Sequence, residues 1–375
     1  MTTDPLALYV HWPFCVSKCP YCDFNSHVRS SIDQGAWRDA LLADLAYEGS
    51  LLPNRTLTSI FFGGGTPSLM DPGTVFAVID AARAHWSAAD DIEITLEANP
   101  NSVEAARFAD LAGAGVNRLS LGLQSFEDAS LVFLGRAHSA QEGQIALDIA
   151  QKHFPRVSFD LIYALPSDTL AGWSATLDKA IAKGTSHLSL YQLTIEPGTR
   201  FASMVAKHEF EPLDSDHAAD LFELTAERTT AAGIPAYEIS NHARAGQESR
   251  HNLTYWRYGD YAGIGPGAHG RRRGKRTVRH RKPENFMSGL RRNGHGIVEE
   301  EMLTPAEAAD EALVMGLRLS EGIDTRLLSQ RFGQPLVDEE KVSRLIASGH
   351  LERHGDRLRT TAAGRLLLDR VLVEI

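Results

Sequence analysis

The sequence predicts an α/β fold: a partial (β/α)6 barrel built from six strand-then-helix units, followed by a small winged-helix-like module at the C-terminal end. Three observations lead there. Strand-like runs alternate with helix-like runs, at a spacing of roughly thirty residues, through the first two-thirds of the chain, the pattern of parallel strands joined by crossover helices. The strand-like runs are rich in Leu, Ile, Val and Phe, as strands covered on both faces require. From Thr304 onward the pattern changes to three helical segments and a hairpin.

In chain order, Leu6–Trp12 reads as the first strand and Asp33–Tyr47 as an amphipathic helix. Ser59–Pro67 is the second strand, leading into a helix that begins near Asp71. Asp91–Pro100 is the third, followed by a helix with a weak cap at Ser102 and a stop at Gly113. The runs NRLSLGLQSF, RVSFDLIYALP and SHLSLYQLTIEPGT complete the set, each followed by a helical segment. Six units suit an open barrel better than a closed eight-fold one, and chemistry is expected at the carboxyl ends of the strands. The expected boundaries are a core over 1–235, a Gly- and Arg-rich connecting region over 236–300, and the terminal module over 301–375. That module reads as helices in TPAEAADEALVMGLRLSEG, DTRLLSQRFG and DEEKVSRLIASGHL, then a hairpin around His354–Gly355–Asp356. From Glu300 to the end it holds 10 Arg and Lys against 14 Asp and Glu, so it is expected to be structural or partner-facing rather than DNA-reading.

Composition narrows the function. Of 375 residues, 43% are hydrophobic and 23% charged, as in ordinary soluble proteins, and no apolar run is long enough to cross a bilayer. A net charge of −10 argues against general nucleic-acid binding. The opening MTTDPLALYV has no basic segment leading into an apolar one, so a cytoplasmic address is expected, with membrane contact only peripheral and through partners.

All three cysteines fall within eight positions, at Cys15, Cys19 and Cys22, directly after the first strand. Crowded thiols in a cytosolic chain point to metal binding or redox chemistry before disulfides. A short loop of this spacing can wrap an iron–sulfur cluster. A zinc site completed by His27 or His11 is the rival, and spacing alone leaves both open.

The C-x3-C-x2-C spacing, with Tyr21 before the third cysteine, resembles the signature of the radical S-adenosylmethionine (SAM) superfamily. YVHWPFC and GGGTPSLM together resemble its coproporphyrinogen-dehydrogenase-like branch, which includes a family of heme chaperones, over nearly the whole chain. The resemblance implies that Cys15, Cys19 and Cys22 hold a [4Fe-4S] cluster whose fourth iron is left open for SAM. It also implies SAM contacts at Tyr9 and in the Gly63–Gly64–Gly65–Thr66 loop, and at Glu97, Gln124, Arg136 and Asp160 around the strand ends. These residue types suit the ligand: carboxylates for its cationic groups and hydroxyls, Arg136 for its carboxylate.

Within the branch, the dehydrogenase carries a fourth cysteine two residues after the third, where this chain has Phe24. It also carries an N-terminal arm, for which a first strand starting near residue 6 leaves no counterpart. The motif HNLTYW matches the H-N-x-x-Y pattern of the heme chaperones, making His251, Asn252 and Tyr255 candidate heme contacts, with His269 in GIGPGAHG in reserve. Imidazole and phenolate both ligate heme iron. The run Arg271–Lys282, eight basic residues and no acid, is usually a solvated strand pair or loop, and part of it is expected to face heme propionates or an acidic partner. The expected function is therefore heme binding and delivery to apo-hemoproteins, respiratory ones among them. An oxygen-independent coproporphyrinogen III dehydrogenase is the alternative, and a zinc-stabilised winged-helix regulator a distant third. A homodimer is compatible with the sequence, and nucleic acid is not an expected partner.

Overall fold

The computed structural model describes residues 4–375. Six strands lie side by side in chain order, all parallel: β1 (Pro5–Trp12), β2 (Thr56–Gly64), β3 (Ser87–Ala98), β4 (Arg118–Gln124), β5 (Arg156–Tyr163) and β6 (His187–Gln192). On β1 the side chains alternate: Leu6, Leu8, Val10 and Trp12 join the core under the crossover helices, while Tyr9 and His11 turn to the polar interior. The helices start on caps visible in the sequence. Asp33 and Asp71 accept from Ala36 N and Gly73 N, and Ser139 forms a capping box with Glu142. The third crossover departs from expectation. Its cap is Asn101 rather than Ser102, and the helix breaks after Ala105 and resumes at Phe108–Gly113. Arg107, in the break, donates to Ser68 O at 3.1 Å and Met70 O at 2.6 Å, so the interruption fastens this crossover to the preceding one.

The stretch expected as a connecting region builds sheet. β7 (Asn241–Ala243) runs antiparallel to β6, and β8 (Tyr261–Ile264) is parallel to β1 on its free side. An antiparallel meander of β9 (His269–Arg272), β10 (Lys275–Arg279) and β11 (Ile297–Met302) extends it to eleven strands. The basic run builds β9 and β10 of this meander, and it divides: Arg271, Arg272 and Arg279 are buried, while Arg273, Arg276, Arg281 and Lys282 stay exposed. Arg279 is fully buried and donates to Asp44 Oδ2 and Glu48 Oε1, each at 2.7 Å, and Arg272 Nε donates to Glu48 Oε2 at 2.6 Å. Asp44 and Glu48 are themselves fully buried on the helix Gln34–Leu51, so these arginines fasten the meander to the barrel. Arg271 lies 3.6 Å over the Tyr258 ring, and Lys275 and Arg276 pair with Glu300 and Glu301 on β11.

The C-terminal module has the expected parts: helices Pro305–Gly316, Thr325–Phe332 and Glu339–Ala347, then the hairpin Leu351–His354/Arg357–Thr360 turning at Gly355 with φ 61°. Strand Ile323–Asp324 adds a third strand, and Leu313, Leu317, Val342, Leu345, Leu351 and Leu358 form a separate core. Two short helices beyond the hairpin, Ala362–Leu366 and Leu368–Glu374, were not anticipated, and their junction returns to the open end of the barrel. No helix of the described residues is long and apolar enough to cross a membrane.

Candidate cofactor site at the open end of the barrel

The thiol loop is held from behind by aromatic packing. Phe14 sits 5.2 Å from Trp12 and 5.1 Å from Trp37, ring centre to ring centre, and Trp37 stacks on Phe286. The glycine loop ending β2 is stitched to it: Gly65 N donates to Trp12 O at 2.7 Å and Thr66 N to Phe14 O at 2.8 Å. Only glycine permits this approach. A Cβ on Gly65 would meet Phe14 O at 2.6 Å, and Gly64 has φ 111° with the His11 ring 2.6 Å from its would-be Cβ.

Cys15, Cys19 and Cys22 are free, half-buried, and line one cavity of about 1050 Å³. Thr66 Oγ1 donates to Cys15 Sγ and Arg136 Nη1 to Cys19 Sγ, both at 3.4 Å. Among the described residues no three His, Cys, Asp or Glu are arranged to hold a single metal ion. Thiols spread along one loop fit a cluster, in which each thiolate takes its own iron, better than one tetrahedral zinc. The histidines offered for zinc are also engaged. His11 Nε2 donates to Asn25 O at 2.9 Å, which leaves Nδ1 to accept from Tyr9 OH at 2.9 Å, and burial lowers this imidazole to about 4, keeping it neutral. His27 Nε2 lies 3.3 Å from Asn25 Oδ1.

Gly64, Gly65, Thr66, Glu97, Gln124, Arg136 and Asp160 all line the same cavity. Burial raises Glu97 to about 8, with the Asp160 charge adding to it against a 3.2 Å hydrogen bond from Gly64 N. Burial raises Asp160 to about 6, opposed by Ser189, Ser120 and the Arg136 charge. Burial biases these two acids toward their neutral forms, and a cation bound beside them would draw them back to the carboxylate. Arg136 donates to Asn99 Oδ1 at 2.6 Å and Gly122 O at 2.8 Å, yet its Nε is buried without a partner, as is Oε1 of Gln124. Unpaired buried polar atoms in one cavity wall mark places where a ligand completes the bonding. The set therefore fits SAM, which brings cationic groups, a carboxylate and hydroxyls. Tyr9 is placed deeper, lining a second cavity of about 220 Å³ that shares Glu97 and Asp160 with the first.

The candidate heme residues lie in that deeper cavity. His251 is 1% exposed, with Ser59 Oγ 3.0 Å from Nδ1 and Tyr255 OH 2.6 Å from Nε2, and its ring stacks on Phe61. Neither ring nitrogen is free to meet iron in this arrangement, and the cavity is below the roughly 300 Å³ at which ligand pockets begin. Asn252, whose N–H bonds Ser249 Oγ at 3.3 Å, and Tyr255 border the same space. His269 is exposed on β9 and lines neither cavity.

Some residues in and beside the cavity escaped the sequence reading. Asn99 bridges Thr66 Oγ1, at 3.1 Å, and Arg136. Its signal was faint: one polar residue two positions beyond Glu97 at a strand end. Asn25 ties the thiol loop to Pro266 O and Arg281 O, both at 2.9 Å, and Arg318 and Arg365 reach the cavity from the C-terminal module.

A parallel half-barrel with three loop thiols over a cationic-ligand cavity defines the radical SAM class, and the superfamily profile matches residues 9–180. A profile described as the HemN C-terminal domain matches residues 303–367. The chain is 40% identical to the heme chaperone HemW of Escherichia coli K12 over 98% of its own length and 97% of the relative's. It is 40% identical to mitochondrial radical S-adenosyl methionine domain-containing protein 1 of mouse, over 98% and 87%. The chain belongs to this HemW-type family of radical SAM proteins, a family that implies SAM and an iron–sulfur cluster. Coproporphyrinogen III oxidase (HemN) of E. coli superposes with a TM-score of 0.83, covering 99% of this chain and 90% of that one at 22% identity, and so shares the fold.

Proposed function

We propose that the chain is a heme chaperone that binds heme and passes it to apo-hemoproteins. In this reading Cys15, Cys19 and Cys22 hold a [4Fe-4S] cluster, and Gly64, Gly65, Thr66, Glu97, Gln124, Arg136 and Asp160 cradle SAM, with Tyr9 beneath them. Held there, a cluster would supply an iron for SAM to ligate and an electron for its reduction. The chain's own residues do the rest: Thr66 and Arg136 hold two thiols by hydrogen bonds, and Asn99 keeps those two donors in register. The observation that carries the proposal is similarity to HemW along essentially the full length of both chains. Phe24 adds support. It stands 57% exposed in the cavity wall and offers an apolar ring where the dehydrogenase resemblance calls for a thiol.

The test reconstitutes the protein anaerobically, titrates it with hemin, and incubates the loaded protein with an apo-hemoprotein. A parallel reaction contains reductant, SAM and coproporphyrinogen III. Saturable heme binding with transfer, and no decarboxylated product, is expected. Formation of protoporphyrinogen would overturn the chaperone reading in favour of the dehydrogenase.

A further inference from the structure

The cavity at the open end is lined by more than the thiols and the SAM-facing residues. At about 1050 Å³ it stands at the upper end of the usual range of ligand pockets, roughly 300–1,000 Å³. Its outer wall comes from the C-terminal module, and the charge there is unbalanced. Arg365 is partly buried, and its one hydrogen bond goes to Ser320 Oγ at 2.8 Å; no carboxylate among the described residues lies within ion-pair distance of it. Arg318, on a separate segment, lies 4.8 Å over the Trp256 ring and 3.9 Å from Glu238 Oε2, and its Nε is buried without a partner. Glu238 is a carboxylate set against both guanidinium groups, and its Oε1 already accepts from Ser240 N at 3.0 Å and from Asn241 Nδ2 at 2.6 Å. Burial lowers the pKa of Arg365 and the Arg359 charge adds to this, against the opposing charge of Glu238.

Apolar side chains stand exposed in the same cavity. Leu367 is 51% exposed beside Arg365, and Val16 is 68% exposed on the thiol loop with Phe24. Apolar side chains left open to water inside a cavity, beside under-compensated guanidinium groups, suit an apolar ring bearing carboxylates. We infer that the outer half of this cavity is the heme-receiving subsite, with Arg318 and Arg365 holding the propionates and Leu367, Val16 and Phe24 flanking the macrocycle. This rests on the heme-chaperone reading and gives the heme a location other than the enclosed HNLTYW motif. It also gives the two terminal helices a task, since their junction carries Arg365 and Leu367 into the wall.

The test compares hemin with its dimethyl ester, which lacks the propionate charges, on the reconstituted full chain, on Arg365→Gln and on Arg318→Met. The unaltered protein should bind hemin at least tenfold more tightly than the ester. Each variant should lose most of that preference, while the SAM-induced change in the cluster's EPR signal persists. Equal affinity of the unaltered protein for hemin and ester would overturn the subsite, and that comparison holds even where a variant fails to fold. Well-folded variants that keep the full preference would overturn it as well. Absence of any heme binding by the unaltered protein would instead overturn the chaperone reading, and the subsite with it.

Discussion

Glu93 and Glu97 sit four residues apart on β3, both turned inward, and their surroundings are opposite. Glu93 is fully buried at the base, where Arg118 Nη1 lies 3.3 Å and Arg156 Nη1 3.2 Å from Oε2, while Ser249 Oγ and the His251 N–H bond Oε1. Glu97, at the mouth, has one backbone hydrogen bond and a second carboxylate for a neighbour. The bonding of Glu93 is complete and that of Glu97 is not, although Thr95 Oγ1 and His187 Nδ1 near the base lack partners too. A buried polar group whose partners are all present works as scaffold, and one whose partners are missing is waiting for a ligand. By that criterion His251 belongs with Glu93, and Gln124, Arg136 and Glu97 fit the SAM cradle proposed above.

The largest effect is expected from breaking the completed bonding of Glu93. Glu93→Ala leaves Arg118 buried without its carboxylate and frees the N-terminus of the helix Arg250–Trp256, and should cost about 3–5 kcal/mol. Urea denaturation of the apoprotein measures it. A loss below about 1 kcal/mol would place Glu93 outside the scaffold, against the fully paired arrangement described. His251→Ala comes next. It strands the Ser59 and Tyr255 hydroxyls and should cost about 1–3 kcal/mol. Hemin affinity per folded molecule should stay within about twofold of the unaltered protein. A lost or shifted heme Soret band in this variant would show that His251 reaches the iron after a rearrangement, and would restore the HNLTYW motif as a heme site.

The same contrast explains what could be read in advance. The six parallel strands were legible because Leu8, Val10, Ile60, Phe62, Leu96, Leu121 and Phe159 point to the helices and make apolar runs. The meander β9–β11 was not, because its buried positions include Arg272 and Arg279, whose burial depends on Asp44 and Glu48 more than two hundred residues away. Charge pairing of that range leaves no local period. At the mouth, the thiols and the glycine loop announced themselves through spacing and through a backbone conformation few residues tolerate. Arg318 and Arg365 did not, because nothing in a winged-helix pattern says which of its arginines reach the cavity.

The smallest of these effects separates the two glutamates by pH. Glu97 is raised to about 8 from an unfolded value near 4.5, so the folded protein binds a proton through that window and the unfolded chain does not. Its contribution to stability is full below about 4.5 and is lost as pH rises toward 8. The buried neutral histidines act in the opposite sense: His11 and His251, lowered to about 4 and 3, weaken the fold only as pH falls below about 6.5. Asp160, raised to about 6, has released its proton by then. Between pH 6.5 and 8 Glu97 is left as the titrating member of this set, and the apoprotein should lose about 1–2 kcal/mol over that interval. Glu97→Gln, which cannot ionise, should flatten the slope. Saturating SAM should flatten it in the unaltered protein too, because a cation beside the carboxylate lowers its pKa. Equal slopes for the apoprotein and the variant would mean that Glu97 is already as compensated as Glu93.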